Sequence, residues 1–483
     1  MNKKTSVKKN TLFNMIKSLF SIIYPLITFP YISRILQTEN VGKINFSNSV
    51  VSYFSLIASL GVTTYAVREC SKYKDDKDSL SNTASQIFSI NMWSTIIAYM
   101  ALVITLIVAK PLYNYKILII IQSTTILFTT LGADWLNTAM EDFRFIAIRT
   151  MSMQIISLLL MFIFVRRTED YIIYAVISVV ASSGANVINI FYRKRYCTTR
   201  FVLHIDWRKH MPPILMLFSL ILSQTIYTSS DTTILGLCKG DYQVGLYSTS
   251  VKIYNIVNTV VASVAWVVMP QLSANFAKKN FEKINSLLKY SLNFIIVLGL
   301  PCLVGLNIIT KEIIILIAGR TYLGAELSLR ILTISLGFSF ISGWIGNMMM
   351  LPAEKENICL KASVISAVAN IILNLILIPK WGLNAAAITT AISEFIGIII
   401  KIPYIEKEIK IEGFKNMIEA PIVGSLGILL VGVIVKYCLK SQYMIAIVTI
   451  VISCFEYLFV LMVMKNEFAI NFLKPVINKI KRR

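Results

Sequence analysis

Charged side chains inside long apolar segments are the candidate functional residues of this sequence. Asp231 lies in the polar stretch SQTIYTSSDTT, and Lys252 follows in the next apolar segment at a similar predicted depth. A charge within hydrocarbon is costly and is kept where it pairs or meets water. Two interpretations therefore remain open for this pair. It is a structural ion pair that lets two helices insert together, or it forms one wall of a hydrated cavity.

The other ionisable residues differ in predicted depth. Glu394 and Glu456 fall near the middle of their apolar segments, so each should be neutral, paired or in contact with water. Charges nearer the segment ends could equally be ordinary interfacial residues, and these are Arg34, Asp134, Arg149 and Arg330. Four lysines lie within about two turns of a segment end and can reach the interface by snorkelling, namely Lys17, Lys289, Lys361 and Lys401.

Motifs of soluble enzymes are missing from the sequence. It contains no G-x-x-x-x-G-K-[ST] run for nucleotide phosphates, no G-x-S-x-G and no H-E-x-x-H. The two histidines lie in one connecting segment, and the seven cysteines show no spacing typical of a disulfide framework or a metal site. We therefore expect neither an enzyme nor a cofactor, and no bound metal.

Fourteen apolar runs of about twenty residues are the elements that must position these charges. The composition agrees, since 56% of the 483 residues are hydrophobic and 15% are charged. Apolar character on all sides favours helices, because a spanning helix satisfies its own backbone hydrogen bonds. The sequence predicts an all-α polytopic membrane protein with about 14 spans, near 12–33, 43–65, 85–108, 116–137, 147–166, 170–191, 213–236, 245–270, 287–308, 328–350, 358–378, 382–404, 417–437 and 443–464.

The positive charges predict the orientation of these spans. The net charge of +22 comes from short Lys and Arg clusters between the apolar runs. Placing the N-terminus inside puts about 29 of these residues in cytoplasmic segments and about 12 outside. Both termini are therefore predicted to be cytoplasmic, in a multi-pass protein of a bacterial inner (plasma) membrane. No nucleic-acid-binding motif accompanies the clusters, and we expect no nucleic-acid partner.

The basic segment 193–212 predicts the division of the chain. It separates an N-terminal six-helix lobe (1–192) from a C-terminal six-helix lobe (213–404), and a terminal two-helix extension with a basic tail follows (405–483). A faint internal repeat supports two related halves, as in many transporters. Four residues recur at one constant offset, since Tyr24, Val41, Gly42 and Ser47 match Tyr227, Val244, Gly245 and Ser250.

Several longer stretches resemble the polysaccharide repeat-unit (O-antigen and capsule) flippases of the multidrug/oligosaccharidyl-lipid/polysaccharide exporter superfamily. They are FPYISRILQTENVGKINFSNSVVSYFSLIASLGVTTYAVRE, GADWLNTAMEDFRFIAIRT, IYTSSDTTILG with VGLYSTSVKIYNIVNTVVASVAWVVMPQLS, and ILNLILIPKWGLNAAAITTAISE. The similarity covers essentially the whole chain in the same order. Two departures are visible: Gln37 stands where this family usually has a glycine, and Asn137 and Ala139 replace an aromatic residue and a glycine.

The resemblance implies a fold and a task. The two lobes would surround a central cationic cavity and move an undecaprenyl-pyrophosphate-linked oligosaccharide to the external leaflet by alternating access. By position, the cations for the substrate would be Lys17, Arg34, Lys252 and Arg330. The carboxylates that pair with them or couple an ion gradient would be Asp134, Asp231 and Glu394. Membrane lipid and a polysaccharide polymerase or chain-length regulator are the further partners implied.

Two alternatives belong to other functional classes. A cation-coupled small-molecule (multidrug-type) exporter would share the fold but should have a more acidic and aromatic cavity. A membrane enzyme that polymerises or ligates sugar units would need a large external loop with Arg or His. The external loops predicted here reach about twenty residues at most, which disfavours that enzyme.

Overall fold

The computed structural model describes residues 7–466 and 468–470, and within these ranges the chain is helical with no β-strand. The chain separates into two compact units, Met1–Gly245 and Leu246–Arg483. Helix α9 (Asp241–Ala262) begins in the first unit and continues into the second. The predicted lobe boundaries at 192 and 213 stay a prediction.

Helices of the first unit are joined by short turns, except for the longer connection between Tyr192 and Trp207. They are α1 (Val7–Ser59), α2 (Val62–Cys70), α3 (Lys77–Val108), α4 (Lys116–Gly132), α5 (Trp135–Ala139), α6 (Phe143–Phe164), α7 (Tyr171–Tyr192) and α8 (Trp207–Lys239). The residues between α7 and α8 form a 3-10 turn, Arg193–Arg195, followed by irregular chain. A buried apolar cluster joins α2, α3 and α5 to this irregular segment through Cys197 and Ile205.

Helices of the second unit follow the same pattern. Besides the rest of α9 they are α10 (Val264–Ala277), α11 (Phe281–Ile308), α12 (Thr310–Ile317), α13 (Glu326–Trp344), α14 (Glu356–Trp381), α15 (Leu383–Lys401), α16 (Phe414–Cys438) and α17 (Gln442–Val463). Helix α13 continues into one π-helical turn, Ile345–Met350. The terminal pair α16–α17 packs on α11, where the Tyr457 hydroxyl donates to the Val297 carbonyl at 2.8 Å.

The prediction of an all-α polytopic membrane protein is confirmed. Eleven helical segments are long and apolar enough to cross a membrane, or twelve if the bent pair Asp241–Ala262 and Val267–Ala277 is one span. The first of them, Phe13–Tyr73, covers two of the predicted apolar runs. Each of the fourteen runs lies on helix, but the number of fourteen crossings stays a prediction.

Helix α1 is broken at Gln37, whose backbone (φ 60°, ψ 178°) is not helical. Pro25 and Pro30 both lie within a part of this helix whose backbone is helical. Gly240, the residue between α8 and α9, has nearly the same conformation, with φ 81° and ψ −179°. Gln37 and Gly240 are 203 residues apart, which is the offset of the repeat. The internal repeat is therefore present in the backbone conformation as well as in the sequence.

Two glycines of the repeat make reciprocal contacts. A Cβ built on Gly42 would collide with the backbone of Asp241, and one built on Gly245 would collide with the backbone of Thr38. Thr38 and Asp241 are themselves repeat partners at the same offset of 203 residues. The start of α9 and the second part of α1 thus cross at a point where only glycine lets the backbones approach.

Candidate functional site

Arg149 and Asp134 form a buried ion pair in the first unit. Asp134 follows a left-handed turn at Ala133 (φ 46°), which directs the chain from α4 into α5. Arg149 lies on α6, and one of its terminal nitrogens donates to Asp134 while the other donates to the Ala185 carbonyl at 3.0 Å. The side chain of Arg149 is 3% exposed and that of Asp134 is 39% exposed. The carboxylate of the pair is therefore partly accessible, whereas the guanidinium is enclosed by protein.

Lys17 of α1 is the cation next to this pair, since it interacts electrostatically with Arg149. Its side chain is half-buried, and no acceptor for its ammonium occurs among the described side chains. Helix α1 is held against α6 by Tyr24, whose hydroxyl lies 2.9 Å from the Ser157 hydroxyl. Arg149 is bonded to Asp134, and Lys17 adds a second cation beside them, so the three charged groups carry a net positive charge.

Asn137, one of the two departures from the family pattern, supports this site. Its side-chain amide donates to the Asn189 side chain at 2.6 Å, and Asn189 donates to the Gly132 carbonyl at 2.7 Å. Both asparagines are fully buried. Hydrogen bonds between buried amides hold their side chains in place. The two asparagines therefore fix the turn from which Asp134 extends.

Asp231 lies in a polar interface between α1 and α8. Its side chain is buried, and it influences Tyr53 of α1 electrostatically. Neighbouring hydroxyls bridge the two helices, with Ser49 and Tyr53 lying 2.9 and 3.1 Å from the Thr233 hydroxyl. Lys252, its predicted partner, is part of the second unit and is half-buried. The pairing of Asp231 with Lys252 stays a prediction.

Arg34 and Arg330 are both engaged by protein groups. Arg34 is exposed, and its guanidinium donates to the Pro30 carbonyl at 2.6 Å. Arg330 donates from all three side-chain nitrogens, to the Glu326 carboxylate at 2.9 and 3.2 Å and to the carbonyl and side chain of Asn307 at 2.8 and 3.0 Å. Arg330 therefore ties α13 to α11.

Glu394 belongs to a second polar group, in the second unit. It lies on α15 and interacts electrostatically with Lys401 and Tyr254. The Lys401 ammonium donates to the carbonyl and hydroxyl of Ser342 at 3.1 and 2.9 Å, next to the π-helical turn of α13. A π-turn disturbs the regular backbone bonds of a helix. Lys401 thus stabilises the end of α13 where the helix changes its pitch.

Two cations are bonded more specifically than their sequence positions predict. The sequence allows an interfacial position for Arg149 and Lys401, but both donate hydrogen bonds to acceptors within the protein. Arg149 carried a signal, because it lies six residues into α6 and follows Asp134 by only fifteen residues. Among residues 7–466 and 468–470 no cluster of three or more His, Cys, Asp or Glu residues could hold a metal ion.

Long apolar helices with a few enclosed charges define a polytopic α-helical membrane protein. The profile of the polysaccharide biosynthesis protein family matches residues 7–276. The chain therefore belongs to this family, and the resemblance noted in its sequence is confirmed.

Individual relatives match over most of the chain. The capsular polysaccharide biosynthesis protein CapF of Staphylococcus aureus is 24% identical over 403 residues, which is 81% of this chain and 97% of CapF. A protein of Escherichia coli strain K12 named "putative O-antigen transporter" is 24% identical over 331 residues, or 64% of this chain and 75% of that protein.

Solved structures show the same fold. The lipid II flippase MurJ in an inward closed conformation superimposes with a TM-score of 0.75 at 18% identity, covering 97% of this chain and all of MurJ. An outward-facing multidrug resistance MATE transporter of the MOP superfamily gives a TM-score of 0.55 at 17% identity, covering 81% of this chain and 92% of that chain. At these identities the likeness concerns the fold.

Proposed function

We propose that the protein is a flippase that moves an undecaprenyl-pyrophosphate-linked oligosaccharide repeat unit from the cytoplasmic to the external leaflet by alternating access. The proposal is supported by membership of the polysaccharide biosynthesis protein family. It is also supported by relatives named for O-antigen transport and capsule synthesis, and by the fold shared with the flippase MurJ. The host membrane would be a bacterial inner membrane with both termini of the chain in the cytoplasm.

The observation that carries the chemistry is the positive group in the first unit. A pyrophosphate is a dense anion, and within a membrane it needs cations whose charge is not already cancelled. Lys17 meets this requirement, because Asp134 is bonded to Arg149 and no described acceptor binds the lysine. In our proposal Lys17 contacts the headgroup, and Arg149 and Asp134 position it.

The other predicted residues would contribute further charges to the site. Arg34 and Lys252 are proposed as further cations for the headgroup, and Asp231 and Glu394 as carboxylates that pair with cations or couple an ion gradient. Arg330 would have to give up its bonds to Glu326 and Asn307 before it could bind substrate. We therefore rank Arg330 last among the proposed substrate-binding residues.

Deleting the gene in its host tests the proposal. The expected result is loss of one surface polysaccharide and accumulation of its lipid-linked unit in the cytoplasmic leaflet, measured by lipid extraction and by labelling with a membrane-impermeant reagent. Unchanged delivery of the unit to the outer leaflet would overturn the proposal. A changed sensitivity to toxic cations with normal polysaccharide would favour the small-molecule exporter.

Complementation tests the proposed Asp231–Lys252 pair. Asp231→Ala and Lys252→Ala should each reduce the amount of surface polysaccharide, and the charge swap Asp231→Lys with Lys252→Asp should restore part of it. Expression of each variant is measured in the same membranes by immunoblotting. Normal polysaccharide in both single variants at equal expression would remove the pair from the site.

A further inference from the structure

Residues 193–210, here called the strap, run along the outside of α3. Backbone N–H groups of alternate strap residues donate to hydroxyls spaced four residues apart on α3, with Thr198 bonded to Ser81 at 3.3 Å, Arg200 to Ser85 at 3.1 Å and Val202 to Ser89 at 2.8 Å. Two extended residues span about 6.6 Å, and four helical residues rise about 6 Å. The two spacings match, so the strap is held along the helix.

The far end of the strap is also anchored. The backbone N–H of Asp206 donates to the Gln86 side chain at 3.0 Å, and the imidazole of His210 lies 2.7 Å from the Tyr65 hydroxyl. Burial lowers the pKa of His210, which lies ahead of the predicted span 213–236. Its ring is therefore a neutral anchor. The strap that we predicted as a linker is thus a fixed part of the first unit.

Large apolar side chains on the strap are exposed. Phe201 is 46% exposed, Leu203 is 78% exposed and Trp207 is 44% exposed. Exposed apolar side chains in a row are unusual for a surface in water. Aromatic residues beside basic ones are typical of the zone where a membrane meets water.

The position of the strap on α3 agrees with that zone. The first large apolar side chain exposed along this fully described helix is Trp93, and others follow up to Val108. Trp93 therefore marks the level where the outer surface of α3 becomes apolar. The Phe201 ring lies 5.8 Å from the Trp93 ring, centroid to centroid. The apolar side chains of the strap thus start where the lipid-facing surface starts.

The charge of the strap is strongly positive. It contains six Lys and Arg residues and a single carboxylate, Asp206. Arg193 is buried over the Phe88 ring, and Lys209 pairs with Glu69 at 3.5 Å. In the described part of the chain no ion pair engages the other four cations, which are all exposed, namely Lys194, Arg195, Arg200 and Arg208.

We infer that the strap is a binding surface for the phosphate headgroups of anionic bilayer phospholipids. Phe201, Leu203 and Trp207 enter the interface, and Arg200 and Arg208 contact phosphate groups. A nucleic acid or an acidic protein would match the charge, but neither explains apolar side chains at the level where α3 meets lipid. The inference concerns bilayer lipid and does not depend on the proposed sugar substrate.

Lipid binding by the purified full-length protein tests the inference. The protein is reconstituted in nanodiscs of phosphatidylcholine with increasing phosphatidylglycerol, and bound lipid is counted by native mass spectrometry after release. Each surface cation contributes about fivefold to binding of an anionic membrane. Because the two contributions multiply, we expect Arg200→Ala with Arg208→Ala to lower the preference for phosphatidylglycerol about 25-fold. The variant Arg200→Lys with Arg208→Lys should keep most of it.

The control removes two exposed lysines from a loop of the second unit, Lys407→Ala with Lys410→Ala. It should leave the preference unchanged. An equal preference in wild type and in the Arg200/Arg208 alanine variant would overturn the inference, and so would an equal loss in the control. A second measurement uses brominated phosphatidylglycerol, which should quench wild-type fluorescence more strongly than that of Trp207→Phe. Equal quenching would place Trp207 outside the lipid and would also contradict the inference.

Discussion

Helix α1 and the α8–α9 pair share a backbone geometry but carry different charges. Gln37 and Gly240 break the two helical stretches in the same conformation, and Gly42 and Gly245 make reciprocal close contacts. The matching position of Lys17 is a leucine, at 220, and that of Asp231 is a threonine, at 28. The two stretches thus share a backbone conformation but differ in their charged residues.

The two units also differ in how their cations are bonded. The first has a cation, Lys17, that no described group neutralises, next to a pair that is already closed. In the second unit, Arg330 and Lys401 are both hydrogen-bonded to protein acceptors.

The largest expected change in stability comes from Asp134→Asn. It leaves the enclosed Arg149 guanidinium without its counter-charge, which should lower the free energy of unfolding by about 3 kcal/mol. The measurement is thermal unfolding of the purified protein in detergent. The control is Glu326→Gln, which removes the carboxylate of a more exposed pair and should cost about 1 kcal/mol or less. Equal losses would mean that the two pairs are equivalent.

Close approach of the backbones is tested by Gly42→Ala and Gly245→Ala. Each added methyl group would collide with main chain, so each variant should lose about 2 kcal/mol of stability in the same assay. Gly305→Ala is the control, because a Cβ there would meet only one atom, at 3.9 Å. If one of the two glycines tolerated alanine and the other did not, the crossing would not be symmetric.

Lys17→Leu makes α1 resemble its counterpart, which has Leu220 at the matching position. Loss of one headgroup contact of about 1.4 kcal/mol corresponds to about tenfold slower flipping, measured as appearance of the lipid-linked unit in the outer leaflet. Thermal stability should not change, and Lys17→Arg should retain most of the activity. Lys289→Leu, at a half-buried lysine of the second unit, serves as the control. Normal flipping by Lys17→Leu would remove Lys17 from the site.

The smallest expected effect is a gain in stability from Gln37→Gly. A non-glycine residue at φ 60° and ψ 178° is strained. Because the Gln37 side chain is exposed, glycine should raise the free energy of unfolding by about 1 kcal/mol. Gln37→Ala keeps the strained backbone conformation and should not raise the free energy of unfolding. Gly240→Gln should lower that free energy by about as much as Gln37→Gly raises it. A neutral Gln37→Gly would show that the break in α1 is relaxed.

Sequence reasoning located the helices and the repeat because both follow from local pattern. Apolar runs of sufficient length must be helical in lipid, and every predicted run lies on helix. Gln37 was visible as a departure from the family's glycine, and the backbone conformation explains why glycine is usual there. Asn137 was visible in the same way, but its partner Asn189 lies 52 residues further on. No local pattern relates two such residues.

The class of this protein follows from its amino-acid sequence, since hydrophobicity, helix length and family motifs are properties of continuous segments. Which charged side chains are bonded to protein groups depends on the tertiary structure. Arg330 bonds Glu326 on its own helix and Asn307 on α11, whereas Lys17 lies beside Arg149, which is bonded to Asp134. The position of the strap along α3 also depends on the tertiary structure. These outcomes depend on distances between residues far apart in the chain, and only packing sets such distances.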